Sequence, residues 1–277
     1  MVGTTLCLST NSQFGVSNEE QIRLFKKAGF HGFFTMWDTQ VARYKELADE
    51  LGMLYQSIHA PYLKMDKMWL DAERAQAAVD ELLVCVDDCA KLNVPLLIVH
   101  VFIGFGKKEN PTAEGIANYK KVVDAAAEKG VQIAFENTEG EAYLAALMDA
   151  FKDYTNVGFC WDTGHELCVN GEKDMMALYG DRILGTHLND SLGARDMNWT
   201  DDLHLLPFDG IGDWEGIVDR LNKYHFEGPL TFELNTASKP GRHENDKYQK
   251  MPLEEYLAEA YIRACRVAAL KRRRKSI

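Results

Sequence analysis

Nine residues able to bind a metal or move a proton are spread along the 277-residue chain, most of them at the end of a short apolar run. His59 stands in Ile58-His59-Ala60-Pro61-Tyr62, His100 in Ile98-Val99-His100 and Glu136 in Ala134-Phe135-Glu136-Asn137. Asp162 and His165 share Trp161-Asp162-Thr163-Gly164-His165, and His187 opens His187-Leu188-Asn189-Asp190. Asp202-Leu203-His204 and Thr231-Phe232-Glu233-Leu234 complete the set. Imidazole mixed with carboxylate suits Zn, Mn, Co or Fe better than the all-oxygen cage of Ca. Carboxylates also remove and return protons, and an adjacent ion acidifies a C–H beside a carbonyl. Taken alone, each residue is as well explained as a helix cap, a salt-bridge partner or a satisfied buried group. Together they describe a site, provided the fold brings those run ends to one face. Of the 8 histidines only His31, His225 and His243 fall outside the pattern, and these read as structural or solvent-facing.

The elements that must position this set are legible as an alternation. Strands are expected at Thr5–Ser9, Gly32–Met36, Leu54–His59, Leu96–Val101, Val131–Glu136, Val157–Asp162, Ile183–Leu188 and Pro229–Leu234. Helices follow near 18–28, 39–51, 71–92, 112–129, 141–152, 172–180, 213–224 and 252–270, with Ser17, Asp71 and Thr112 as starts and Gly29, Gly52 and Gly130 as stops. No linker and no repeat divides the chain, so the economical fold is α/β, a (β/α)8 barrel spanning 1–277 as one domain. Such barrels build their sites at the C-terminal ends of the strands.

The connection 189–212 is too long for an ordinary βα turn and reads as a lid or site wall. Its Asp190, Arg195, Asp196, Asn198, Asp201 and Asp202 suit a hydroxyl-rich ligand and speak against a barrel that only carries a structural ion. Phe34, Trp37 and Trp161 either line the site or pack the barrel. Cys160 points the same way as Asp162 but has no partner in the sequence that would make it a nucleophile.

Composition narrows the partners. Lys and Arg number 31 against 42 acids, a net charge of −11, so the chain lacks the basic surface of a nucleic-acid binder. The one basic run, Lys271-Arg272-Arg273-Arg274-Lys275 within 271–277, follows an amphipathic stretch and either complements a helix C-terminus or forms a nucleic-acid or membrane tail. Six cysteines without CxxC spacing read as reduced core thiols. With no basic leader, no apolar run of membrane-spanning length and no sign of disulfides, a soluble cytoplasmic protein is expected, with no membrane partner.

The ordered motifs His59-Ala60-Pro61-Tyr62, Phe135-Glu136-Asn137, Asp162-Thr163-Gly164-His165, His187-Leu188-Asn189-Asp190, Asp202-Leu203-His204, Pro207-Phe208-Asp209-Gly210-Ile211-Gly212 and Phe232-Glu233 resemble the xylose isomerase-like barrel superfamily over essentially the whole chain. That group holds sugar isomerases and epimerases, inosose dehydratases and endonuclease IV. The resemblance implies a divalent ion (Zn, Mn or Co) held by Glu136, Asp162, His187 and Glu233. Glu136 and Glu233 would transfer protons, and His165, with His59 and His100, would contact a small sugar, polyol or sugar phosphate. It also implies that Asp190 steadies His187. Barrels of this group often pair into homo-oligomers through helical faces.

The same resemblance supplies rivals. All nine ligands of the three-zinc site of endonuclease IV have counterparts here, with Asp202 and His204 as the additional metal ligands. The net charge, the Leu8-Ser9-Thr10-Asn11-Ser12 opening and the Pro207-Phe208-Asp209-Gly210 turn depart from that nuclease. A lyase of the inosose dehydratase kind would share the proton abstraction. From the ketose 3-epimerases the chain departs at Gly193, where they carry an arginine; Arg195 is the nearest substitute for that substrate contact.

Overall fold

A computed structural model describes residues 3–107, 110–171 and 173–275. The strands are β1 (Leu6–Ser9), β2 (Gly32–Met36), β3 (Leu54–His59), β4 (Leu96–His100), β5 (Gln132–Glu136), β6 (Val157–Asp162), β7 (Ile183–His187) and β8 (Leu230–Phe232). All ladder pairs are parallel and the order is β7-β6-β5-β4-β3-β2-β1-β8. The circle closes through a parallel bridge between Leu188 and Phe232, with Leu188 N–H donating to Thr231 O at 2.8 Å. The result is a single-domain, nearly closed (β/α)8 barrel, as expected.

The helices are α1 (Asn18–Ala28), α2 (Val41–Leu51), α3 (Ala72–Leu92), α4 (Ala113–Lys129), α5 (Glu141–Ala150), α6 (Thr163–Cys168), α7 (Met175–Tyr179), α8 (Trp214–Lys223), α9 (Asp246–Gln249) and α10 (Leu253–Lys275). The expected caps form: Ser17, Asp71 and Thr112 each accept a backbone N–H three residues on, and Gly29, Gly52 and Gly130 end helices in the left-handed region. These caps fix where each helix turns back to the next strand. The large core lies between strands and helices, while Leu96, Ile98, Ala134 and Cys160 form a small separate cluster inside the barrel. Strand alternation from that inner layer carries His100, Glu136 and Asp162 onto the interior side at the strand ends.

Three expectations need correction. The helix expected near 172–180 is α7, from Met175, but an unexpected short helix precedes it; α6 starts immediately after β6 because the Asp162 side chain caps it by accepting His165 N–H, and residue 172 lies outside the described residues. β8 stops at Phe232, so Glu233 stands one residue beyond the strand. The basic run 271–275 belongs to α10: Arg274 pairs with Glu215 and Asp219 and Lys275 with Glu227, while 276 and 277 lie outside the described residues. All six cysteines are free and five are buried, and no described helix is long and apolar enough to cross a membrane.

Candidate metal centre and its cavity

Glu136 lies at the centre of the strand ends, fully buried, with imidazoles on several sides. Its Oε2 is 3.3 Å from His59 Nε2 and 3.4 Å from His100 Nε2; its Oε1 is 3.1 Å from His187 Nδ1 and 3.3 Å from His165 Nδ1. His187 Nδ1 also approaches Glu233 Oε2 at 3.0 Å. Parallel register explains the convergence, since His100 pairs with Glu136 and Asp162 with His187 across adjacent ladders.

The atoms of Glu136, Asp162, His187 and Glu233 that could bind an ion all lie within 4.8 Å of one another. A second grouping of the same tightness, His59, Glu136 and His187, overlaps the first, and a third joins His165, Asp202 and His204. Both Glu136 oxygens and both His187 ring nitrogens are buried without a hydrogen bond. Stranding so many polar atoms in one place is costly in a folded protein, and a divalent ion is the partner that an imidazole and carboxylate donor set fits. The residues present therefore fit a metal.

Electrostatics agree with a site built around charge. Burial alone would raise the Glu136 carboxyl, but attraction to His187 and His100 outweighs it and holds the group well below its ordinary range. The same contest, won by His187 and His204, brings Glu233 to about 2. Burial raises Asp162 to about 6 despite His165. His165 and His187 are held well above the usual imidazole value by nearby carboxylates, against the opposing effect of burial. His100, where burial dominates, is lowered.

Supporting contacts orient the set. Asn189 Nδ2 donates to Asp162 Oδ2 at 2.9 Å, and Asn137 Oδ1 accepts Asp162 N–H at 2.7 Å. A side chain at Gly164 would put its Cβ 1.9 Å from Asn189 Oδ1, which explains the glycine of the Asp-Thr-Gly-His motif. Phe34 stacks on His187 with centroids 4.5 Å apart, and Tyr62 on His100 at 4.8 Å. Trp37 and Trp161 face outward instead: their indole N–H groups donate to Asp88 and Glu166. Cys160 is buried in the barrel interior, its thiol raised well above its usual range by burial. His31 accepts Leu6 N–H and the exposed His243 pairs with Asp246, both away from the site.

The connection 189–212 is a wall with internal anchors. Asp190 accepts N–H groups from Ser191, Phe208, Gly212 and the Trp214 indole. It organises this loop rather than steadying His187, because its four donors all come from the loop and α8. Asp201 accepts Arg195, Asp196 and Met197 N–H groups on one oxygen and Arg242 on the other. Arg195 is exposed with its guanidinium beside Asp196, so the structure does not bring it to the cluster. A cavity of about 400 Å³ above the ligands is lined by His59, Tyr62, His100, His165, Asp202, His204 and Glu233. Its wall also includes Asn11, Asn235 and Lys239, none of which the sequence singled out as site residues because they lie in loops without periodicity. Glu136 does not line it.

Residues 22–259 match the family model described as xylose isomerase-like TIM barrel. The chain belongs to this family. It is 33% identical over 206 residues to the protein y4fM of Sinorhizobium fredii (68% of this chain, 64% of that protein). It is 27% identical over 139 residues to the inosose dehydratase of Histophilus somni (44% and 46%). The chain thus spans less than two thirds of the length of these curated relatives. Among solved structures, L-ribulose 3-epimerase superposes with TM-score 0.71 at 17% identity over 99% of this chain and 97% of that one. D-allulose 3-epimerase of Methylomonas sp., in complex with D-allulose, gives 0.69 at 18% over 94% and 96%. For this family member, sugar epimerases are therefore among the structural neighbours, which at these identities establishes the shared fold.

Proposed function

We propose that this chain is a divalent-metal-dependent isomerase or epimerase of a small sugar, polyol or sugar phosphate. The observation that carries the reading is the grouping of Glu136, Asp162, His187 and Glu233, with its unpartnered polar atoms, beneath a cavity of about 400 Å³. That cavity suits a small hydroxyl-rich molecule. These four residues would hold the ion, which when bound supplies Lewis acidity to a substrate carbonyl and its neighbouring hydroxyl.

The chain's own groups supply the proton transfers. Glu233 faces the cavity and is held as a carboxylate, the form that accepts a proton from carbon. An epimerisation would in addition need Glu136, which lies beneath the imidazoles and outside the cavity lining, to serve the opposite face of that carbon; an isomerisation needs Glu233 alone to return the proton to the adjacent carbon. His165, His59 and His100 line the cavity and would contact substrate oxygens. Arg195, exposed beside Asp196, receives no substrate role.

A second reading rests on one specific observation, the His165–Asp202–His204 grouping. With His59, His100 and the Glu136 grouping it would hold three ions, which would supply an activated hydroxide for attack on a phosphodiester. Elemental analysis of untagged protein separates the two readings: about one ion per chain supports the isomerase, and about three supports the phosphodiesterase. Proton exchange from heavy water into ketoses, aldoses and their phosphates then tests the first directly. An ion-loaded protein that exchanges no substrate C–H across that panel overturns it. Loss of a substrate hydroxyl alongside exchange identifies the lyase variant of the same chemistry.

A further inference from the structure

Lys239 is the one lysine or arginine among the described residues that line the cavity. It lies in the Ser238-Lys239-Pro240-Gly241 turn that follows β8, and its side chain is 19% exposed. Its Nζ is 3.7 Å from Asp202 Oδ2, beyond hydrogen-bonding distance, and 5.5 Å from the ring centroid of the half-exposed Trp199. Asp202 is already engaged by His204 Nε2 at 2.9 and 3.0 Å and faces His165 Nε2 at 3.5 Å. The lysine ammonium therefore lines the cavity in a loose ion pair with Asp202 and with no hydrogen bond to the described residues.

The Asp202 carboxylate accounts for a cation in this place, but a neutral substrate makes no use of its charge. The ammonium lies 3.7 Å from Asp202, which is outside the Glu136, Asp162, His187 and Glu233 grouping, and its charge opposes a divalent ion bound to that grouping by Coulomb repulsion. A ligand carrying its own negative charge reverses that sign, because it is attracted by the ion and the ammonium together. We propose that Lys239, backed by Trp199, is a specificity-determining residue that binds an anionic group of the substrate, a phosphate ester or a carboxylate, and so selects an acidic sugar over a neutral one. The proposal rests on the sugar-directed reading above and deepens it.

The test uses the full, ion-loaded chain as wild type, Lys239→Met and Lys239→Arg, with ion content and thermal unfolding checked first for each. Calorimetric titration with D-fructose, D-fructose 6-phosphate and D-glucuronate compares one neutral and two anionic probes. The wild type is expected to bind an anionic probe at least about tenfold more tightly than D-fructose, in keeping with a charged hydrogen bond. That gap should close in Lys239→Met and survive in Lys239→Arg, and the tighter of the two anionic probes identifies the group. A wild type without the gap overturns the proposal, including the case in which no probe binds. A gap that persists in Lys239→Met also overturns it, since the ion alone then holds the anion. Heavy-water exchange on the same probes keeps the two readings apart. A Lys239-dependent gap without exchange sinks the proton-transfer reading and leaves this one standing; exchange on D-fructose without the gap does the reverse.

Discussion

The two walls of the candidate site are built by different means. On the β3–β6 side, His59, His100, Glu136 and Asp162 are the last residues of their strands, and ladder register sets their spacing. On the β7–β8 side, Asp202, His204, Glu233 and Lys239 lie beyond the strands, in loops. Met197, His204 and Phe208 there hold φ of 52°, 48° and 73°, a left-handed backbone that costs non-glycine residues energy. Buried carboxylates do the work that hydrogen-bonded ladders do opposite, with Asp190 and Asp201 each collecting several donors from the loop. One wall is fixed by the fold, the other by side chains that hold strained loops in place, and the two should fail differently.

The largest effect is expected at the fixed wall. Glu136→Gln removes the charge that two overlapping ligand groupings share, so the variant should stay folded yet lose its ion and lower proton exchange by at least about a hundredfold. Elemental analysis beside heavy-water exchange checks it; full ion content with unchanged exchange would remove Glu136 from the centre. At the loop wall, replacing Asp202 and His204 together with Asn should leave about one ion on the Glu136 grouping and reduce exchange less. Equal ion loss in both variants would erase the distinction between the walls.

A loop-wall change away from the ligands should act on stability. Arg242 and Asp201 are 3% and 0% exposed and meet at 2.9 Å, joining the connection after β7 to the loop after β8. Arg242→Met leaves a buried carboxylate without its partner and should cost about 3–5 kcal/mol in denaturant unfolding. A loss below about 1 kcal/mol, the usual worth of an exposed pair, would show the clasp to be dispensable.

The same division governs what the sequence discloses. Alternating runs and their caps disclose the barrel because strand and helix periods are local, and a strand's last residue is readable as such; hence His59, His100, Glu136, Asp162 and His187 are found where expected. The loop wall was legible only in part. Asp202 and His204 stood out by residue type, but Arg195 lies outside the cluster, Asp190 serves the loop instead of His187, and Lys239 carried no signal. Those outcomes depend on which backbone N–H groups a carboxylate gathers, a tertiary fact with no period in sequence. The aromatic residues show the limit within a strand as well: Phe34 reaches His187 while Trp161, between Cys160 and Asp162, turns to the outer layer.

The smallest expected effect is a pH dependence confined to the ion-free protein. Attraction to Asp202 and Glu233 outweighs burial and raises His204 from 6.5 to about 9. A raised folded-state value means that the imidazolium's stabilisation is fully present below 6.5 and is lost as pH rises through 9. Chelator-treated protein should therefore show its melting temperature fall by a few degrees across that window, and His204→Asn should make the fall shallower, leaving the part owed to His165 and His187. In the ion-loaded protein the sign reverses, because ligand imidazoles must shed protons to bind and ion affinity grows with pH. A fall of the same size in loaded and stripped wild type would mean that His204 pairs with Asp202 irrespective of the ion. The loop wall would then be a charged strut rather than part of the centre.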